Sequence, residues 1–142
     1  MITVLDGFVD EPSCLGVPPF MSFQVRYIVG SILNAGETYE YVTIEQWRKG
    51  HKISGEILII LAGALVPGRY LRGMPISFKE FISICTSFKG TKILVGASAQ
   101  FGFSQGGGKS RIFGNSFANF FALKDGDAFI YSFLNGESSV GF

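Results

Sequence analysis

A charge imbalance is the first thing this 142-residue sequence lacks: twelve Lys and Arg stand against eleven Asp and Glu, a formal net charge of +1. So balanced a chain has no long-range field for nucleic acid, an anionic membrane or an acidic substrate, and its partners must be recognised locally. Histidine is nearly missing. His51 stands alone in "RKGHKIS", where it reads as an exposed turn residue, so no Ser-His-Asp or Cys-His constellation can be assembled. Cys14 and Cys85 are the only cysteines and belong to no CxxC, which sets aside a disulfide framework and a zinc site and leaves Cys85 as a buried thiol. Long apolar runs are missing too, although 47% of the residues are hydrophobic. The longest, "ILIILAGALV" at 57–66, is about half the ~20 residues that cross a bilayer and suits a strand buried on both faces. The opening "MITVLDG" has no basic segment followed by a sustained apolar one, so export is not expected and a cytoplasmic location is.

What is present in excess is glycine, nineteen, and phenylalanine, fifteen. Rings fill a core while flexible points punctuate the chain. The length suits one domain, residues 1–142, able to bury roughly 70% of its unfolded surface.

Hydrophobic periodicity orders that domain. Strands are predicted at 2–5, 39–44 ("YEYVTI"), 57–62, 92–96 and 127–133. Val25, Ile28, Ile32 and Leu33 recur at helical spacing before a terminating Gly36, and "SFKE" announces a second helix in which Ser77 and Glu80 form a capping box ahead of Phe78, Phe81, Ile82 and Cys85. The stretch "EQWRKGHKIS" is too short and Gly-broken for a long helix, whereas "NSFANFFAL" at 115–123 predicts about two turns. Strand and helix thus alternate. The expectation is an α/β, three-layer doubly wound sandwich, flavodoxin-like or Rossmann-like, with a mostly parallel sheet of about five strands.

Familiar nucleotide motifs fail on register. In "FGFSQGGGKS", Phe103 stands where a phosphate loop needs its first Gly, and Arg111 follows Gly106 and Gly108 where GxGxxG needs a small residue. Lys109 and Arg111 read as solvated. Asp6, Asp10 and Glu11 lie near the carboxyl end of the first strand, where general acid or base work is conceivable, but spacing assigns them no chemistry. Ligands of doubly wound sheets lie beyond the carboxyl ends of the strands, so 6–20, 63–70 and 96–108 should converge on one rim. Gly63, Ala64, Pro67 and Gly68 in the second segment, with Gly96, Ala97, Ser98, Ala99 and Gly102 in the third, leave backbone open to a bulky ligand. The competing reading is that they only make tight turns.

"DGFVDEPSCLGVPPFMS", "RYIVGSILNAG", "TIEQWR", "LIILAGALVPGRYLRGMPIS" and "KILVGASAQFG" together resemble the amino-terminal region of B12-binding-domain radical SAM proteins, in particular an archaeal, uncharacterised subgroup. The resemblance runs along nearly the whole chain. It implies a Rossmann-like cobalamin-binding domain in which the loops after strands one, three and four face the corrin ring. By position it assigns Gly16, Pro18 and Pro19 to the first loop, Gly63 to Gly68 to the second and Gly96 to Gly102 to the third. On this reading Asp10, Glu11 and Ser13 satisfy exposed amides or meet those rimming a corrin, while Pro18 and Pro19 make a rigid approach to the first helix. Two family features are missing: no DxHxxG supplies an axial His, and no CxxxCxxC binds an iron–sulfur cluster.

The implied function is a cobalamin-binding module that positions a corrinoid for a radical SAM catalytic domain, in cis or in trans. The iron–sulfur cluster and S-adenosylmethionine would belong to that downstream domain, and this chain would be the amino-terminal part of a longer enzyme, catalysing nothing itself. Two alternatives stay open. One is a flavodoxin-like protein binding a flavin or nucleotide; the other is a degenerate domain serving only in packing or as a homo-oligomer, to which exposed Phe101, Phe103, Phe113, Phe120 and Phe121 would contribute.

Overall fold

The computed structural model describes residues 1–7, 23–62, 76–96, 99, 103–104, 111–112, 117–122 and 126–136. In chain order the elements are β1 (Ile2–Asp6), α1 (Phe23–Asn34), β2 (Tyr39–Thr43), α2 (Ile44–Arg48), β3 (Ile57–Leu61) and α3 (Phe78–Ser87). They continue with β4 (Thr91–Val95), β5 (Phe103–Ser104), β6 (Arg111–Ile112), β7 (Phe120–Phe121) and α4 (Gly126–Leu134). Five strands form one sheet in the order β2-β1-β3-β4-β7, every pair parallel; β5 and β6 make a separate antiparallel pair. This is the expected α/β doubly wound arrangement. β1 lies between β2 and β3 in continuous register, Val4 opposite Tyr41 on one side and Ile59 on the other.

Alternation along the strands divides the core in two. Leu5, Leu58, Ile60 and Leu94 meet Phe81, Ile84 and Cys85 of α3 and Ile44 of α2 on one face. Ile2, Val4, Ile59, Leu61, Ile93 and Val95 meet Val25, Ile28 and Ile32 of α1 and Phe129 and Ile130 of α4 on the other. The central strands are apolar on both faces because helices cover both.

Local chemistry sets several boundaries as the residues predict. Ser77 Oγ accepts from the Glu80 amide at 3.2 Å while Glu80 Oε1 accepts from the Ser77 amide at 3.0 Å. A second capping box, between Thr43 and Gln46, ends β2 one residue short of the predicted Ile44 and starts the five-residue α2. Gly36 closes α1 at φ +76°, a conformation that glycine adopts without a Cβ penalty.

Two predictions at the end of the chain are reversed. Residues 127–133, expected as a strand, lie in α4: Phe129, Ile130 and Phe133 fit one helical face as well as they fit a β-prone run, and that face packs on the sheet. Within 115–123, expected as a helix, Phe120 and Phe121 instead form β7, whose pairing with Ile93 and Leu94 outweighs local helical periodicity. Leu33, placed in the apolar stripe of α1, is 57% exposed.

Candidate ligand-binding rim

Because β1, β3 and β4 are parallel neighbours, the residues that follow them, Gly7, Ala62 and Gly96, stand side by side along one sheet edge. The strand order reverses between β1 and β3: the chain goes one way from β1 to β2 and the other way through β3, β4 and β7. Doubly wound sheets open a ligand crevice at that switch point, because the two connections leave in opposite directions.

Gly7 sits in the crevice. Its amide donates to Leu61 O at 2.8 Å, and its carbonyl accepts from the Ile76 amide at 2.8 Å. A Cβ here would stand 2.5 Å from both Leu61 O and Ile76 Cγ2, so only glycine allows so close an approach. The chain that leaves β3 at Ala62 is therefore back at the same crevice by Ile76. Gly96 is a second point of close approach, with φ +97° and a would-be Cβ 2.4 Å from Ala62 O.

Asp6, the last residue of β1, is 1% exposed, and Tyr41 Oη donates to its Oδ2 at 2.5 Å. Alternation puts Asp6 on the same face as Ile2 and Val4, and the β1–β2 register sets Tyr41 diagonally before it. The bond fixes the Asp6 carboxyl at the mouth of the crevice. The arrangement can orient a ligand or the chain beside it.

Of the residues assigned to the rim from sequence, the structure describes Gly96. Asp10, Glu11, Ser13, Gly16, Pro18, Pro19, Gly63, Ala64, Pro67, Gly68, Ala97, Ser98 and Gly102 lie outside the described residues. The strand order brings the starting points of all three segments together. Sequence reasoning missed the Asp6–Tyr41 bond and the double attachment of Gly7. Parity along β1 places Asp6 on the α1 face, but the partner depends on a register between residues 35 apart in sequence.

Two proteins from archaea are similar to this chain. An uncharacterised protein of Methanocaldococcus jannaschii is 38% identical over 114 residues, 75% of this chain and 20% of its own length. An uncharacterised protein of Archaeoglobus fulgidus is 44% identical over 87 residues, 57% of this chain and 16% of its own. The chain thus spans at most about a fifth of these relatives. No family model and no solved structure matches it.

Away from the rim, α2 is tied to α3 by Arg48, whose Nε and Nη2 donate to Glu80 Oε2 and Oε1 at 2.6 and 2.8 Å and whose Nη1 donates to Glu45 Oε1 at 2.7 Å. The hydrogen bond from Arg48 is the main cause holding the Glu80 carboxyl below its usual range. Toward the amino edge of the sheet, Trp47, His51, Lys52, Ile53, Ile84, Ser87 and Phe88 line an open groove of about 480 Å³. His51 Nε2 lies 2.7 Å from Glu40 Oε1, consistent with the exposed turn read from the sequence. Burial pushes the Cys85 thiol up to about 11. Among the described residues no group of three or more His, Cys, Asp or Glu could hold a metal ion. Within them no helix is long and apolar enough to cross a membrane.

Proposed function

We propose that this chain is a cofactor-binding module of a longer protein, taking a corrinoid across the carboxyl rim of its sheet and presenting it to a catalytic domain outside these 142 residues. The observation that carries the reading is the strand order β2-β1-β3-β4-β7, which opens the crevice between β1 and β3 where segments 8–22 and 63–75 begin. Gly7, packed against Leu61 O and Ile76, and Gly96, packed against Ala62 O, are close approaches that the sheet itself needs, so the reading rests on the strand order.

His51 is the only histidine in the sequence and is bonded to Glu40, so a corrinoid would have to be held here by other residues. Gly96 and the segments after Gly7 and Ala62 would hold it, and the buried Asp6–Tyr41 pair fixes the end of β1 from which the first segment departs. A bound corrinoid supplies alkyl-transfer or radical chemistry at cobalt; the chain supplies position and exclusion of water. The relatives' much greater length supports a domain beyond this one, for which a radical SAM domain with its own iron–sulfur cluster and S-adenosylmethionine is the proposed partner.

The same strand order is that of flavin-binding doubly wound sheets, which supports a flavin or nucleotide as the second reading. Reconstitution separates the two. The purified chain is incubated in parallel with hydroxocobalamin, FMN and ATP, then desalted, and its absorption is read. Retained corrin absorption that is lost in Gly16→Val, with circular dichroism unchanged and Lys109→Ala still binding, is the expected result. Retention of FMN or ATP in place of the corrinoid overturns the leading reading.

A further inference from the structure

The groove between α2 and the end of α3 carries an inference independent of any ligand at the rim. Trp47, Ile53, Ile84 and Phe88 wall it, His51, Lys52 and Ser87 supply its polar side chains, and its volume is about 480 Å³. Small-molecule sites span roughly 300–1,000 Å³. Ile53 comes just before β3 and Phe88 just before β4, so the groove lies at the amino end of the strands, away from the rim that follows β1, β3 and β4.

Both lips are held from within the chain, so the groove is formed before anything enters it. On one lip the amides of Lys49, Gly50 and His51 donate back to carbonyls of α2 at 3.0 to 3.2 Å, and Gly50 makes the turn at φ +99°. His51 is held further by Glu40. On the other lip the Phe88 amide and Ser87 Oγ both donate to Ile84 O, at 3.0 and 3.1 Å. Charge at this mouth is one-sided. Lys52 and His51 line it, Lys49 and Lys89 adjoin its two lips, and all four are exposed. The three lysines have no ion-pair partner among the described residues, and Glu40, the one carboxylate bonded there to a lining side chain, is engaged by His51. In a chain whose charges balance overall, apolar walls under a cationic mouth are a local departure.

We propose that this groove is a second binding site, for a small aromatic anion: a flat ring carrying a carboxylate. The ring is taken between the apolar walls, where Trp47 and Phe88 offer aromatic surface, and the carboxylate is met by the Lys52 ammonium. A neutral ring forgoes the charge, and a cation meets Lys49, Lys52 and His51.

The only tryptophan and the only histidine of the sequence both line the groove, so the Trp47 indole N–H and the His51 ring protons are single, unambiguous reporters in NMR spectra of the whole chain. Indole-3-acetate is the probe, with indole-3-acetamide as the ring without the charge and acetate as the charge without the ring. Indole-3-acetate is expected to shift both reporters saturably at millimolar concentration, and each control to bind at least about fivefold more weakly. Lys52→Glu, at an exposed position, should leave the core amide signals in place and weaken the probe about tenfold, because it turns an attraction into a repulsion. Reporters that do not move overturn the proposal. So do equal binding of the acetamide, indifference to Lys52→Glu, or shifts at Gly7 and Gly96 in place of Trp47 and His51, which would put the anion at the rim. FMN or ATP retained by the wild-type chain and lost in Lys52→Glu belongs to the groove, whereas corrinoid held at the rim is indifferent to that change, so the two sites can fail independently.

Discussion

Tyr41→Phe isolates a side-chain hydrogen bond at the end of β1. The substitution keeps the half-buried ring and deletes only the hydroxyl that donates to Asp6 at 2.5 Å. Asp6 is 1% exposed, so water has little access to replace the lost donor. Hydrogen bonds to charged groups contribute about 1.5–3 kcal/mol. We expect a loss of about 2 kcal/mol, read as a lower midpoint in urea at unchanged m. For a chain of this size that is roughly 6–10 °C in Tm. Asp6→Ala should cost at least as much, and the double variant should cost less than the sum, because both single changes remove this bond. A Tyr41→Phe loss below about 0.5 kcal/mol, or strict additivity with Asp6→Ala, would refute the view that this pair holds the rim.

Two other measurements follow from the α2–α3 side. Glu80 is held below its ordinary pKa chiefly by the hydrogen bond from Arg48, so its contribution is present above the unfolded carboxyl value of about 4.3 and is lost as pH falls through the lower folded value. Glu80→Gln, which keeps the N3 capping side chain, should therefore cost about 1 kcal/mol at pH 7 and almost nothing at the acid end of a urea series; equal cost at both pH values would contradict the ion-pair account. Cys85, 4% exposed and with its thiol pushed up to about 11, should react with a thiol reagent at pH 8 only at the rate of opening, so the rate should rise with urea; labelling as fast as a free thiol would contradict its burial.

What was legible in the residues depended on whether the signal was local. The box at Ser77, the turn at Gly36 and the unbroken apolar β3 are each written within a few positions, and each appears where the residues place it, whereas the box at Thr43 ends β2 inside a run that reads as strand. The carboxyl-terminal third carries ambiguous signals. "NSFANFFAL" and "DAFIYSF" both satisfy helical and strand periodicity, and the choice falls to which of them reaches the open edge of β4. Phe120 and Phe121 do, leaving 126–134 to cover the α1 face as a helix. Exposed Phe120 and Phe121, expected from composition, are 41% and 40% exposed at that edge.

The small residues of the rim deserve a different weight in the structure from the one they carry in the sequence. Read alone, Gly96 and its neighbours leave space for a ligand. In the fold, Gly96 is required by its own backbone, with φ +97° and Ala62 O in the position of any Cβ, and Gly7 is required by Leu61 O and Ile76. Such glycines would be needed in a sheet that bound nothing, so they cannot argue for a cofactor. What they permit is attachment: Gly7 bonds to Leu61 on one side and Ile76 on the other, so the chain that left β3 meets the end of β1 again at a single residue. Both contacts lie at the switch point, where β1 and β3 end side by side and the strand order opens a crevice.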